Sequence, residues 1–299
     1  MRNLVVAAAA AAFALAAGPA GAGSPVTEKM TCPIGGGAFD FVTTASYSTF
    51  GERPDGKPYG SWTFPLALPE CPDNGLILYK DYSPEEVAKL EPLVASEAYQ
   101  ALRKEDTPYY RAYWLMKAMG LGPERYLWAL LQAGWEADAK PELRTRYLTE
   151  LVEASAAVPA RPDDLNWIGM EGRAINALRE LGRFDEALAR LEKVPLKTLD
   201  VPAAAAETGG QTRSRRAWFT FFTDLKPVIE RHDSAVEPLD LIPRSVALGR
   251  CLDLAGKLDE AGRAYCEKES AGVEELRAAR AKLAKEMEAL KRSREDSGR

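Results

Sequence analysis

The side chains best suited to chemistry in this chain are four cysteines, Cys32, Cys71, Cys251 and Cys266, and a single histidine, His232. Two of the cysteines open similar turns, "TCPIGGGAFDF" at 31–41 and "PECPDNG" at 69–75. In each, Cys-Pro is followed by turn-forming Gly or Asn. Cysteines can bridge, ligate a metal or act as redox nucleophiles. A dithiol oxidoreductase calls for CxxC, and the place three residues after Cys32 holds Gly35. His232 lies in "RHDS" (231–234), but sequence neighbours do not face one another on a helix, and a nucleophile–base pair is set in space. The chain has no GxSxG elbow, HExxH, Walker A loop or GxGxxG. "GGG" at 35–37 lacks a following Lys-Ser/Thr and opens a strand. These residues therefore assign no catalytic group, no cofactor and no metal.

Two features place the cysteines in an oxidising compartment. Residues 1–22 carry Arg2, the apolar run "LVVAAAAAAFALAA" (4–17), Pro19 and small residues at Ala20–Ala22, the pattern of a secretory signal peptide. The run is too short to span a bilayer core comfortably, so no membrane span is expected after cleavage. The four cysteines are even in number, which favours disulfides after export. Of three possible pairings, the nearest in sequence is Cys32–Cys71 with Cys251–Cys266. The expected location is periplasmic or secreted. Net charge is −5, and −6 once Arg2 leaves with the signal. That balance disfavours nucleic acid as a partner.

The elements that must position these groups fall into two parts. Residues 23–82 are rich in Gly, Pro, Thr and aromatics, and read as a small β module. Strands are expected at 39–50 and 61–68, with a third short one at 76–80 and a Cys-Pro turn before the first strand. From Ser83 the periodicity is helical through to 299. "SPEE" at 83–86 is a capping box with proline at the first helical position. Helices are expected near 84–104, 108–119, 123–138, 141–157, 164–181, 184–194, 214–231, 237–255, 258–270 and 272–294. Residues 195–211 read as a loop.

Two segments repeat. In "ALRELGRFDEALARLEKV" (177–194) and "ALGRCLDLAGKLDEAGRAYCEK" (247–268), Gly182 matches Gly256, Leu178 matches Leu252, Phe184 matches Leu258, and Ala187 matches Ala261. A left-handed glycine turn, acids in the first helical turn and a small alanine between the helices suit a tight helical hairpin. These segments resemble tetratricopeptide repeats, with Glu171 and Ser245 standing where that family usually has Trp. The fold class expected is mainly α, a tetratricopeptide-like helical-hairpin solenoid behind the β module.

"CPIG" and "CPDNG" resemble the CPxC and CPxCG knuckles of a zinc ribbon. The order of knuckle, hairpin, second knuckle and helices is similar to an uncharacterised bacterial family of that layout. "YYRAYWLMKAMG" and "YLWALLQAGWEAD" (within 109–138) are similar to its first helical pair, with Gly134-Trp135 at its alanine–tryptophan step. Roughly residues 30–195 are covered. Here Gly35 and Asn74 replace the second cysteines, and a zinc site would need two further ligands from residues such as Asp40, Glu70 or Asp73. The resemblance implies that the first positions of both knuckles lie close together, so that a Cys32–Cys71 bond takes the metal's place.

Candidate partner-binding residues are the dense aromatics Tyr109, Tyr113, Trp128 and Trp135 and the basic start of a helix, Arg213, Arg215 and Arg216. The last helix has Leu276, Leu283 and Leu290 in a heptad-like row beside Val273 and Met287, interrupted by Arg280. It reads as a cap on the solenoid or a short coiled coil. The function expected is binding or scaffolding of a protein or peptide in the cell envelope. The rival is an envelope hydrolase or redox enzyme.

Overall fold

The computed structural model describes residues 23–202 and 209–297. The expected signal peptide, and residues 203–208 within the expected loop, lie outside them. The described chain is mainly helical with a small N-terminal β module.

β1 (Pro25–Thr31) and β2 (Ala38–Thr44) form an antiparallel hairpin, and β3 (Thr49–Glu52) and β4 (Pro58–Gly60) form a second. Several strand expectations need correction. β1 was not expected, because "PVTEKMT" is polar and almost wholly exposed; its pairing with β2 makes it a strand. The first Cys-Pro turn therefore lies inside a hairpin, not before it. The run 39–50 is broken into β2 and β3. Neither 61–68 nor 76–80 is a strand: Pro65 cannot donate to a ladder, and Ile77 makes only an isolated bridge to Glu70. The apolar side chains of these segments instead face helices.

The two Cys-Pro turns have the same hydrogen bonds. Cys32 N donates to Gly37 O (2.9 Å) and Gly36 N to Cys32 O (3.1 Å); Cys71 N donates to Leu76 O (2.9 Å) and Gly75 N to Cys71 O (2.9 Å). Both sulfurs are bonded to each other, with Cα atoms 5.6 Å apart. In the second turn, three residues after Cys71, the Asn74 amide donates to Ile34 O of the first (3.1 Å) and accepts from Leu76 N (2.9 Å). A disulfide and an amide thus join the two Cys-Pro turns. Cys32 and Cys71 share a core with Leu76, Leu90, Val94, Tyr99 and Leu115, which seats the module on the first helices.

Those helices are α1 (Pro84–Ala95), α2 (Glu97–Glu105), α3 (Pro108–Ala118), α4 (Pro123–Glu136), α5 (Pro141–Ala156), α6 (Leu165–Glu180) and α7 (Phe184–Leu191). After a short α8 (Leu196–Leu199) come α9 (Gly210–Glu230), a 3-10 turn at Leu239–Leu241, α10 (Arg244–Asp253), α11 (Glu260–Lys268) and α12 (Ser270–Ser297). The expected helix 84–104 is two helices, because Ser96 caps the second: its Oγ accepts from Tyr99 N and donates to Leu93 O. The expected 237–255 helix begins only after Pro243, and the expected loop 195–211 contains α8 and the first residues of α9. From α3 to α7 each helix packs on the next, and α9 packs on α6 and α7 around the largest core.

The two repeat units differ at their glycines. Gly182 is left-handed (φ +73°), its N–H bonding to Arg179 O and that of Arg183 to Leu178 O, the paired bonds of a Schellman turn. Gly256 is not left-handed. There the hairpin is closed by the Cys251–Cys266 bond, with Cα atoms 5.6 Å apart.

Candidate functional site: an aromatic groove and a closed ionic lock

A groove runs across the outer face of α4 to α7. Its first part, a cavity of about 320 Å³, lies between Trp128 and Leu127 of α4, Ser155 and Val158 at the end of α5, and Trp167 and Met170 of α6. A second depression of about 610 Å³ shares Ser155, Val158, Trp167 and Glu171, and continues to Arg190 and Lys193 on α7 and just past it. Trp128 is 42% exposed, one of few large apolar side chains so exposed. The groove exists because α6 begins only after the irregular segment 157–164, which separates the end of α5 from α6. Asp164 starts α6 by accepting from Asn166 N (2.9 Å), which sets Trp167 over the opening.

The groove's floor is polar and internally satisfied. Arg190 donates Nε and Nη2 to the two oxygens of Glu171 (2.5 and 2.7 Å), and Nη2 also to Ser155 Oγ (3.0 Å). Ser155 Oγ in turn donates to Val152 O (2.9 Å). Its proton is held by a carbonyl and its lone pair faces a cation, the reverse of an activated nucleophile. Glu171 is buried and paired across the hairpin, where it joins α6 to α7.

At the other end of α5 and α6, a second polar cluster docks the β module. Asp55, in the β3–β4 turn, accepts from Arg53 Nε and Nη2 (3.1 and 2.5 Å), Lys57 N (3.0 Å) and Arg144 Nη2 of α5 (3.0 Å). Arg144 also reaches Glu180 of α6 (2.6 Å) and Asp138 (2.9 Å), and Asp138 accepts from Arg53 and Lys57 (2.8 and 2.7 Å). Asn176 and Arg179 extend the chain of bonds to the carbonyls of Asp233 and Ala235 after α9. Burial alone would raise the Asp55 carboxyl, but Arg53 and Arg144 hold it below the usual carboxylate range. Burial pushes the Glu180 carboxyl up despite Arg144. Carboxylates driven apart in this way suit acid–base chemistry where substrate reaches them. Here both side chains are at most 3% exposed, so the cluster acts as a lock between module and helices.

The expected surface residues divide. Tyr109 and Tyr113 are buried, donating to Leu66 O (3.0 Å) and Glu150 (2.9 Å), and Trp135 donates to Asp55 O (3.3 Å) against the β3–β4 turn. Trp128 alone of the four aromatics faces the groove. Arg213 is exposed, Arg215 donates to Asp163 O (3.3 Å), and Arg216 pairs with Asp200 while stacking over Phe219. His232 takes the left-handed place that glycine takes at Gly182 (φ +58°) and stacks on Phe184, ring centroids 4.7 Å apart. Asp233 pairs with Arg231 and accepts from Ala235 N, so "RHDS" forms no triad. Sequence reasoning missed Trp167, Ser155 and the Arg53–Asp55–Arg144–Glu180 cluster.

No family model, no curated protein and no solved structure matches this chain.

Proposed function

We propose that this is an exported helical-repeat protein that binds an extended peptide segment of a partner protein in the Trp128–Trp167 groove. The observation that carries this reading is Trp128, exposed beside the half-buried Trp167 over an open trough whose floor charges are already paired. Apolar ring faces with a satisfied polar floor favour an occupant that brings its own apolar anchor and lays main-chain groups along the rim. Free charges at the rim are of both signs, Glu124, Glu153, Arg161 and Lys193, which suits polypeptide more than a polyanion. Two disulfides suit an oxidising compartment outside the cytosol.

The test is selection of displayed peptides against the oxidised mature protein. Selected peptides should share an aromatic or aliphatic anchor and should lose roughly tenfold or more in affinity on Trp128→Ala, as truncation of a central tryptophan does. Peptides that bind Trp128→Ala and Trp167→Ala as tightly as the parent would refute the reading.

A further inference from the structure

The last helix carries an apolar row that the body covers at one end only. Val273 and Leu276 pack into the C-terminal core with Leu248 and Cys251 of α10. α10 ends at Asp253, which accepts from Arg280 Nη1 (2.6 Å) and Nη2 (3.3 Å). Past Arg280 the row continues as Leu283, Met287 and Leu290, which are 58%, 63% and 56% exposed. At 3.6 residues per turn these five apolar residues stay on one side of the helix. The uncovered row is thus a continuation of an interface that already exists inside the chain.

Several observations indicate what covers it. Residues 281–297 hold five basic and four acidic residues, a near balance that suits neither an anionic lipid surface nor a nucleic acid. Alanines at 281, 284 and 289 flank the row and permit close approach of a second helix. The row is also self-complementary: Leu283 precedes Met287 by four residues and Leu290 follows it by three. A second copy turned end for end therefore sets leucine against leucine on both sides of a central methionine pair.

We propose that residues 281–297 pair antiparallel with the same segment of a second copy. The orientation follows from the body. α10 lies on the apolar face up to Arg280, so a parallel, in-register pair would force two bodies into one space. The antiparallel pair sets them at opposite ends, each helix tip reaching toward the other copy's Arg280–Asp253 pair. The free segment is about 25 Å long. Its seam falls short of the roughly 800 Å² per partner of a standard interface, so the dimer is weak, with a Kd on the order of 10–100 µM. This pairing does not depend on what the groove binds.

Sedimentation equilibrium of the oxidised mature chain, from about 5 to about 500 µM, tests it. The mass should rise from monomer toward dimer. Leu283→Lys with Leu290→Lys should stay monomeric throughout and melt at the wild-type temperature, because both side chains are exposed in the monomer. Under oxidation, Leu283→Cys mixed with Leu290→Cys should crosslink well above either variant alone. A wild-type monomer at the top concentration, or a dimer that survives the double lysine variant, would overturn the proposal. So would binding of the wild type to vesicles of phosphatidylglycerol without self-association. Crosslinking of Leu283→Cys to itself above the mixture would overturn the antiparallel orientation.

Discussion

Replacing Asp55 by Asn tests whether the ionic lock holds the β module to the helices. The change keeps the shape of the side chain and removes one charge. Four bonds end on that carboxylate: two from Arg53, one from Arg144 and one from Lys57 N. Arg53 and Arg144, with side chains 7% and 8% exposed, would be left with Asp138 and Glu180, and an amide N–H or carbonyl would have to face two guanidinium groups and a backbone donor. Removing one partner of a buried pair costs about 3–5 kcal/mol. Asp138 is a third exposed and already shared between Arg53, Lys57 and Arg144, so it compensates only in part. The lower end, about 3 kcal/mol, is expected. For a chain of this size that lowers the melting temperature by roughly 5 °C. Calorimetry of the oxidised mature protein measures it, and chymotrypsin cleavage after Tyr59, in the same hairpin, should speed up in parallel. In a double-mutant cycle with Arg144→Met, the two substitutions should be strongly non-additive. A loss below about 1 kcal/mol, or simple additivity in the cycle, would show that the cluster does not hold the module.

Three further outcomes follow from the same geometry. The Asp55 and Asp138 carboxyls, which burial would raise but the neighbouring Arg53 holds down, have folded values below the unfolded one. Their stabilisation is therefore present above about pH 4 and is lost as pH falls through the folded values. Glu180, pushed up by burial, acts oppositely and adds stability as pH falls toward about 4.5. Urea unfolding from pH 7 to 3 should accordingly show a maximum in mild acid, and Glu180→Gln should flatten the rise on the high-pH side; a curve identical to the parent's would refute this assignment. Replacing Cys32 and Cys71 together by Ser should cost about 4 kcal/mol for a loop of 39 residues. The exposed two-stranded hairpin should then lose amide protection while the α3–α9 core keeps it, and unchanged exchange at 25–44 would sink that expectation. Asn74→Ala should cost about 1–2 kcal/mol, because it removes a donor to Ile34 O and an acceptor for Leu76 N; denaturant melts that overlay the parent's would show that the amide does not tie the two turns together.

Much of this molecule was legible in its sequence, because the signals were local. The Ser83 capping box, prolines at the first turns of α1, α3, α4 and α5, and the left-handed Gly182 set helix starts and stops within a few residues of their own position. The two Cys-Pro turns carry their hydrogen bonds within six residues each, so their likeness to one another was readable. Other features needed partners far along the chain. "PVTEKMT" has no strand character of its own and becomes β1 by pairing with β2. Tyr109 and Tyr113 are spaced along one side of α3, and Trp128 and Trp135 along one side of α4, yet packing against Leu66, Glu150 and the Asp55 turn draws three inward and leaves one in the groove. Asp55 and Arg144 stand 89 residues apart, and no spacing relates them. The sequence by itself determined most helix starts and stops and the two Cys-Pro turns, since these depend on backbone propensity and short-range bonds. The tertiary structure alone decided which aromatics face solvent and which charges lie buried together, since burial belongs to no residue until the far parts of the chain have met.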